Sequence, residues 1–463
     1  MAIKPPDLLN RLPSVAELLE KPPIRALAER WNRSAVAGGV RTFLEELRSD
    51  VERRAAELPS IRELAERAAR YIAARQHQSH GVAINATGMI YGPDWQSVPL
   101  AEKALERVVA QGREFTIHQS SSEAQSAGEV EALLCRLTGA PAAVVVHSYA
   151  GAVWLALSAL ATGREVLVSR AEAGDVDGES LPTLARAAGA TLKEVGGTNR
   201  STAADYEASI GDQVAAILKL SADSYRVVGE TATAELSELV AIAHGRELPV
   251  IDALGAAPLV EPPTGISWPR RSALASIAGG SDLVILRGDG LLGGPACGVL
   301  VGREHLVQRI TTHPLFSSFK VDPIRGAAMA TTLECYESPN RGADTVPVWE
   351  CLATSVENLR NRAERLAGQL GHVEGVASAT AGETRSPISA ALAGDGWPSY
   401  GVVLDTADGN LAALDSRLKT ARFPIIGRSE GERLVLDLRT VMPRQDRAIV
   451  DALLGGSTAS NGN

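Results

Sequence analysis

The sequence predicts an α/β fold: a large mixed, mostly parallel sheet domain set between a helical N-terminal domain and a small α+β C-terminal domain. Three observations predict it. The chain has 463 residues, too many for one compact core, so two or three domains are expected. Over its middle, short apolar runs rich in Val, Ile and Leu alternate with amphipathic stretches, which is how strands covered on both faces by helices read. Before residue 81 the periodicity is helical throughout.

In the N-terminal domain, residues 1–80, Ser14 is placed to cap VAELLEK with Glu17 at capping-box spacing, and Pro22 and Pro23 stop that helix. Val40, Phe43, Leu44, Leu47 and Val51 then line one face of a longer helix. Pro59-Ser60 punctuates the chain before the amphipathic run IRELAERAARYIAARQ.

The large domain, residues 81–345, carries strand-like runs at 142–147, 165–169, 215–220, 248–252 and 281–287, with helical segments at 151–162, 181–189 and 234–247. Ligands in such sheets bind beyond the carboxyl ends of the strands. That rule singles out His147, Ser148, Tyr149, the segment Ser221–Tyr225 with Ser224, Asp252, and Arg287, Asp289 and Gly290. The run at 293–298 reads as a tight turn entering the strand GVLVG. A long helix at 346–370, beginning near Pro347, opens the C-terminal domain, residues 346–455, whose strands include YGVVLDT and RLVLDLRT. Residues 456–463, GSTASNGN, read as a disordered tail.

The formal charge of −9 argues against indiscriminate binding to nucleic acid. It is unevenly spread: residues 1–80 hold 14 of the 46 basic and 11 of the 55 acidic side chains, so a mildly basic head sits on an acidic body. That head permits a local RNA contact without requiring one. Cys135, Cys297, Cys335 and Cys351 are scattered, without the spacing of a metal site, and read as reduced thiols of a cytoplasmic protein. Lys4, Pro5, Pro6 and Asp7 interrupt the N-terminus before a signal-peptide core develops, and no run of about 18 apolar residues is present to span a membrane.

A set of motifs in a fixed order carries a resemblance. They are LPSVAELLEKP near the start, INATG at 84–88, LLCRLTGA at 133–140, EVLVSR at 165–170, VGGTNRSTAADYE at 195–207, SYRVVGE at 224–230, GDGLLGGPACGVLVG at 288–302 and PIIGRSEGERLVLDLRTVMP at 424–443. Together they resemble bacterial selenocysteine synthase, the L-seryl-tRNA(Sec) selenium transferase family. The resemblance covers nearly the whole chain. It implies the PLP-dependent transferase fold type I, a pyridoxal-phosphate (PLP) cofactor, a homo-oligomer with its site at a dimer interface, and tRNA as a partner through the N-terminal domain.

The same resemblance locates a loss. Where the family carries its Schiff-base lysine, in Ser-Gly-Asp-Lys-Leu-Leu-Gly-Gly-Pro, this chain reads Arg287-Gly288-Asp289-Gly290-Leu291-Leu292-Gly293-Gly294-Pro295. Glycine offers no amine, so covalent PLP binding is expected to be absent there. The family's pyridinium carboxylate, in Asp-Leu-Gly-Ser-Gly, falls on Ala253; Asp252 is one residue early, and adjacent strand residues face opposite sides unless a bulge intervenes. The Asn-rich phosphate loop is His147-Ser148-Tyr149-Ala150-Gly151-Ala152, the His-Thr-Asn-Leu-Gly-Arg run is Tyr91–Ser97, and the Arg-Gly-x-Arg segment is Glu123-Ala124-Gln125-Ser126. The basic stretch after Pro-Leu keeps one cation, Lys320. Lys219, Thr198-Asn199-Arg200 and Asp289 read as structural, and His118 and His147 as hydrogen-bonded histidines rather than acid–base catalysts. The expectation is a homologue without covalent PLP catalysis that keeps a scaffold for a ligand or RNA. The alternatives are an active transferase or lyase holding PLP non-covalently, and a PLP-independent enzyme.

Overall fold

The computed structural model describes residues 12–30, 33–54, 60–77, 82–115 apart from 93, 94 and 96, 128–338 apart from 264, 265, 267 and 269, and 340–454 apart from 341, 343, 372, 374, 390–395, 407, 408 and 422. The segment Glu123–Ser126, His118 and the tail 456–463 lie outside the described residues. The chain divides into two compact units, residues 1–84 with 412–426 and 451–463, and residues 85–411 with 427–450.

In the first unit, helices Val15–Leu19, Pro22–Arg30, Arg33–Arg54 and Ile61–His77 bury Leu18, Ile24, Val36, Val40, Leu44 and Ile72 against one another. Ser14 and Glu17 form the expected capping box. Pro22 and Pro23 do more than end the preceding helix: they occupy the first two positions of the next, where a missing N–H costs nothing.

The second unit is built on a seven-stranded sheet. Its strands are β1 (Ala142–Val146), β2 (Glu165–Ser169), β3 (Thr191–Val195), β4 (Val214–Leu220), β5 (Val250–Gly255), β6 (Leu283–Arg287) and β7 (Gly298–Gly302), in the order β1-β7-β6-β5-β4-β2-β3. β7 runs antiparallel to both neighbours, whereas β6-β5-β4-β2-β3 are parallel. Every residue of β4 and β5 is buried. Alternate side chains feed two cores: Val145, Val284, Leu286 and Val299 on one face, and Val144, Val146, Ala253, Ile285 and Leu300 with helix Tyr149–Ala161 on the other.

A four-stranded antiparallel sheet follows: β8 (Val376–Ser386), β9 (Trp397–Thr406), β10 (Arg428–Glu430) and β11 (Arg433–Asp437), ordered β8-β9-β11-β10. The helix expected over 346–370 is two helices, Pro347–Ala353 and Val356–Leu370. The break is local chemistry: Ser355 turns extended and its side chain accepts from the Asn358 N–H, starting a fresh helix.

Candidate functional site

The candidate residues converge where β1, β4, β5 and β6 end, and a guanidinium organises them. Arg287 is the last residue of β6. Its Nε and Nη2 donate to the two Asp289 carboxylate oxygens at 2.9 and 3.0 Å, its Nη1 donates to Asp177 Oδ1 at 2.5 Å, and the same nitrogen meets the Tyr91 hydroxyl. The guanidinium also lies 4.6 Å from the centre of the Tyr91 ring. Burial works against its charge, but the bonds to Asp289 and the charge of Asp177 outweigh it and hold Arg287 firmly protonated. Asp289, expected to support a turn, is therefore the bidentate partner of this cation.

Asp177 comes from a hairpin in which Asp175–Val176 pairs with Glu179–Ser180. Asp177 and Gly178 adopt φ of 54° and 84°, as a two-residue turn of the mirror-image type requires. Its second oxygen accepts the backbone N–H of Ala150 at 3.0 Å, in the first turn of helix Tyr149–Ala161, which Ser148 caps by accepting from Gly151 N at 3.1 Å. Helix starts attract anions; here the chain supplies its own. Sequence reasoning missed Asp177, although the Asp-Gly pair was a readable hairpin signal.

Beyond β4, Asp223 accepts from Ala256 N and from Arg270 Nη1, both at 2.9 Å. Burial raises its pKa above the ordinary carboxylate value, the neighbouring Arg270 opposing the shift. Ser224 donates to Asp175, fastening this loop to the hairpin. Tyr149 is buried, and its hydroxyl acidity is suppressed first by burial and then by the charges of Asp223 and Asp177; Tyr91 is pushed the same way, by burial and then Asp223. The cluster thus holds four carboxylates, Asp175, Asp177, Asp223 and Asp289, against two guanidiniums, Arg270 and Arg287.

Two expected pocket residues, Asp252 and His147, stand apart from it, as do Lys219 and Asn199, which the sequence reads as structural. Asp252 faces the other side of the sheet, where Ser276 Oγ donates to it at 2.6 Å and Arg271 Nη2 at 3.2 Å. The pairing irregularity in β5 falls after Ala253, too late to turn Asp252 round. Asp252 is therefore corrected from pocket residue to buried partner of Arg271. His147 stacks on Phe319, ring centres 5.2 Å apart. Lys219 is buried in a pair with Glu172, at 3.1 Å, and also donates to the Ala234 carbonyl. Asn199 bonds the Glu230 carbonyl at 2.7 Å, a structural tie.

The residues present do not fit PLP held as the family's lysine would hold it. Gly290 has no amine, and a Cβ built there lies 2.7 Å from Ala256 Cα and 2.8 Å from its Cβ. Ala253, at the pyridinium position, is fully buried among apolar side chains. The Ala150 N–H in the would-be phosphate cradle is bonded to Asp177, and the surrounding charge is net negative.

Residues 83–442 match the family described as L-seryl-tRNA selenium transferase, and residues 9–48 match the one described as selenocysteine synthase N terminal. A Hyphomonas neptunium protein named L-seryl-tRNA(Sec) selenium transferase is 34% identical, covering 96% of this chain and 98% of its own. A Rhizobium meliloti protein of the same name is 35% identical over 93% and 94%. Among solved structures, a D-glucosaminate-6-phosphate ammonia-lyase superposes with a TM-score of 0.58 at 17% identity, covering 82% of this chain and 96% of that one. The architecture is fold type I of the PLP-dependent transferases.

Proposed function

Starting from a chain that belongs to the selenocysteine synthase (L-seryl-tRNA(Sec) selenium transferase) family, we propose that this member has given up covalent PLP catalysis and keeps the scaffold to bind a ligand or RNA. One observation carries this reading. The lysine position is a glycine packed on Ala256, and the neighbouring space is held by the Arg287–Asp177–Asp289 cluster. A PLP enzyme needs an amine to form and exchange its imine and to move protons afterwards; this cluster offers guanidiniums, which do neither. What the cluster does instead is hold the β6 end, the 175–180 hairpin and the start of helix Tyr149–Ala161 in one rigid arrangement.

The test is direct. The full-length protein, incubated with PLP and then borohydride, is expected to show no visible aldimine band and no reduced adduct in its peptide map. An adduct on Lys219, or on any other lysine, overturns the reading. The names of the relatives favour a second reading, an active selenium transferase, which with glycine at position 290 would have to hold PLP non-covalently. PLP-dependent conversion of the tRNA-bound seryl group to selenocysteinyl, its hydroxyl lost as water and selenium taken from the donor with the ester to tRNA intact, would establish it. The basic N-terminal helices and the relatives' names support a tRNA contact; filter retention of seryl-tRNA by the full chain, lost steeply as salt rises, is the expected signature. No described helix is long and apolar enough to cross a membrane. The fold supports a homo-oligomer, to be read by analytical ultracentrifugation.

A further inference from the structure

A polar cavity lies at the opposite end of the large sheet from the Arg287–Asp177–Asp289 cluster, beside the amino ends of β2, β4, β5 and β6. It measures about 660 Å³, within the range of small-ligand sites. Six basic side chains line it: Arg164, Arg246, Arg303, Arg309, His244 and His305. Only Asp282 and Glu247 oppose them.

Two of the arginines, Arg164 and Arg309, are held in place without being neutralised. Arg164 Nη2 donates to the Val214 carbonyl at 2.6 Å, and Arg309 Nη2 to the Ala159 carbonyl at 2.7 Å. A neutral carbonyl fixes the direction of a guanidinium and leaves its charge and remaining N–H groups available. Among the described residues Arg164, Arg246 and Arg309 make no ion pair.

Asp282 serves as the anchor. It is 2% exposed. Its carboxylate accepts from Val250 N at 2.7 Å, and pairs with Arg303 Nε at 2.6 Å and His244 Nε2 at 3.0 Å. One buried carboxylate thereby orients two basic groups on the cavity wall.

Helix Glu304–Thr311 borders the cavity through His305, Leu306 and Arg309. Glu247, at φ 57°, closes the end of helix Leu236–His244 in a left-handed turn, with Leu248 N donating to the Ala243 carbonyl at 2.9 Å, and this sets Arg246 and Leu248 beside the cavity. Leu160, Ala215, Leu248, Pro249 and Leu306 supply an apolar floor.

We propose that this cavity binds a phosphate ester carrying a flat apolar group, the class to which a nucleotide belongs, taken either free or within an RNA strand. The phosphate would sit among Arg164, Arg246 and Arg309, with the base against Leu248 and Pro249. This inference is independent of what happened at position 290.

Calorimetric titration of the full-length protein with ATP, and separately with a short single-stranded RNA, tests it. One saturable site per chain is expected for at least one ligand. Arg246→Gln/Arg309→Gln should weaken it at least about tenfold, the worth of lost charge-assisted bonds. The control Arg186→Gln/Arg365→Gln, which removes the same charge from exposed helix faces, should leave it unchanged. Binding of ATP assigns a free nucleotide; binding of RNA alone, with the same dependence, assigns a polynucleotide. Binding of neither, or equal weakening by the control, overturns the proposal. Should the cavity variant not fold, phenylglyoxal modification of the wild-type protein decides: the ligand should protect Arg246 and Arg309, and their unaltered labelling counts against the site.

Discussion

A lysine returned to position 290 meets backbone, not a side chain that could swing away. The new Cβ would lie 2.7 Å from Ala256 Cα, so either β5 or the 288–290 turn has to move. Gly290→Lys is expected to lower stability by roughly 1–3 kcal/mol, as overpacking of a filled site does, measured by urea unfolding. Ala256→Gly in the same chain removes the contact to Cβ but not to Cα, so it should recover only part of the loss. Glu131 offers a prediction of another kind. Burial raises its carboxyl to about 7, and its Oε2 has no hydrogen-bond partner among the described residues. Between the unfolded value of 4.5 and that raised value the folded chain binds the extra proton. Stability should therefore be greatest below this window and fall as pH rises through it, by at most about 3 kcal/mol. Glu131→Gln should flatten the slope, and an unchanged slope would show that another group titrates. At this scale the sequence was half informative. The missing amine at 290 could be read directly, whereas the bidentate Asp289 and the Asp177 plug depend on chain segments that only folding brings together.

Among the elements, the buried strands were the legible ones. β1, β2, β4, β5 and β6 are apolar runs that nothing but a covered sheet explains. β3, whose residues are largely exposed or half-buried and include Lys193 and Glu194, sits at the sheet edge with one neighbour. An edge strand carries no burial signal strong enough to read. β8, VASATAGETRS, escaped for a related reason: its small polar side chains are mostly unburied. The break between Pro347–Ala353 and Val356–Leu370 hides in a pattern whose periodicity continues across it, and only Ser355 betrays it. Ser355→Ala should cost about 1 kcal/mol through loss of the bond to Asn358 N, whereas Ser355→Asp should retain it. Thermal unfolding followed by circular dichroism compares the two, and equal behaviour would mean that packing alone sets the break.

For the molecule as a whole, two of the motifs that carried the resemblance turn out to hold each other. INATG and RLVLDLRT lie at opposite ends of the second unit, yet Asp437 N donates to the Ala86 carbonyl at 2.9 Å. Gly88 N donates to Thr440 Oγ1 at 3.0 Å, across 352 residues, and Arg428 Nη1 to the Thr87 carbonyl at 2.6 Å. The fully buried Asp437 carboxylate collects Thr384 at 3.0 Å, Ser386 at 2.9 Å, Ser399 at 2.7 Å and Arg439 N at 3.0 Å. Gly88, at φ 75°, is the residue that lets the backbone pass: a Cβ there would lie 2.7 Å from that carboxylate. The sequence showed both motifs but not their meeting, because nothing local records a partner so distant. Asp437→Ala strands several buried donors at once and should cost about 3 kcal/mol or more; Asp437→Asn, able to accept some of them, should cost less, and calorimetry would separate the two. This clasp also has a bearing on how the protein is made. Gly88 is synthesised 352 residues before Thr440, which fastens it, whereas every strand of the seven-stranded sheet is made by residue 302. The Ala86–Gly88 stretch therefore stays unpaired long after the central sheet can close, and a pause before β11 emerges is where aggregation risk falls and where a chaperone would do most for the yield.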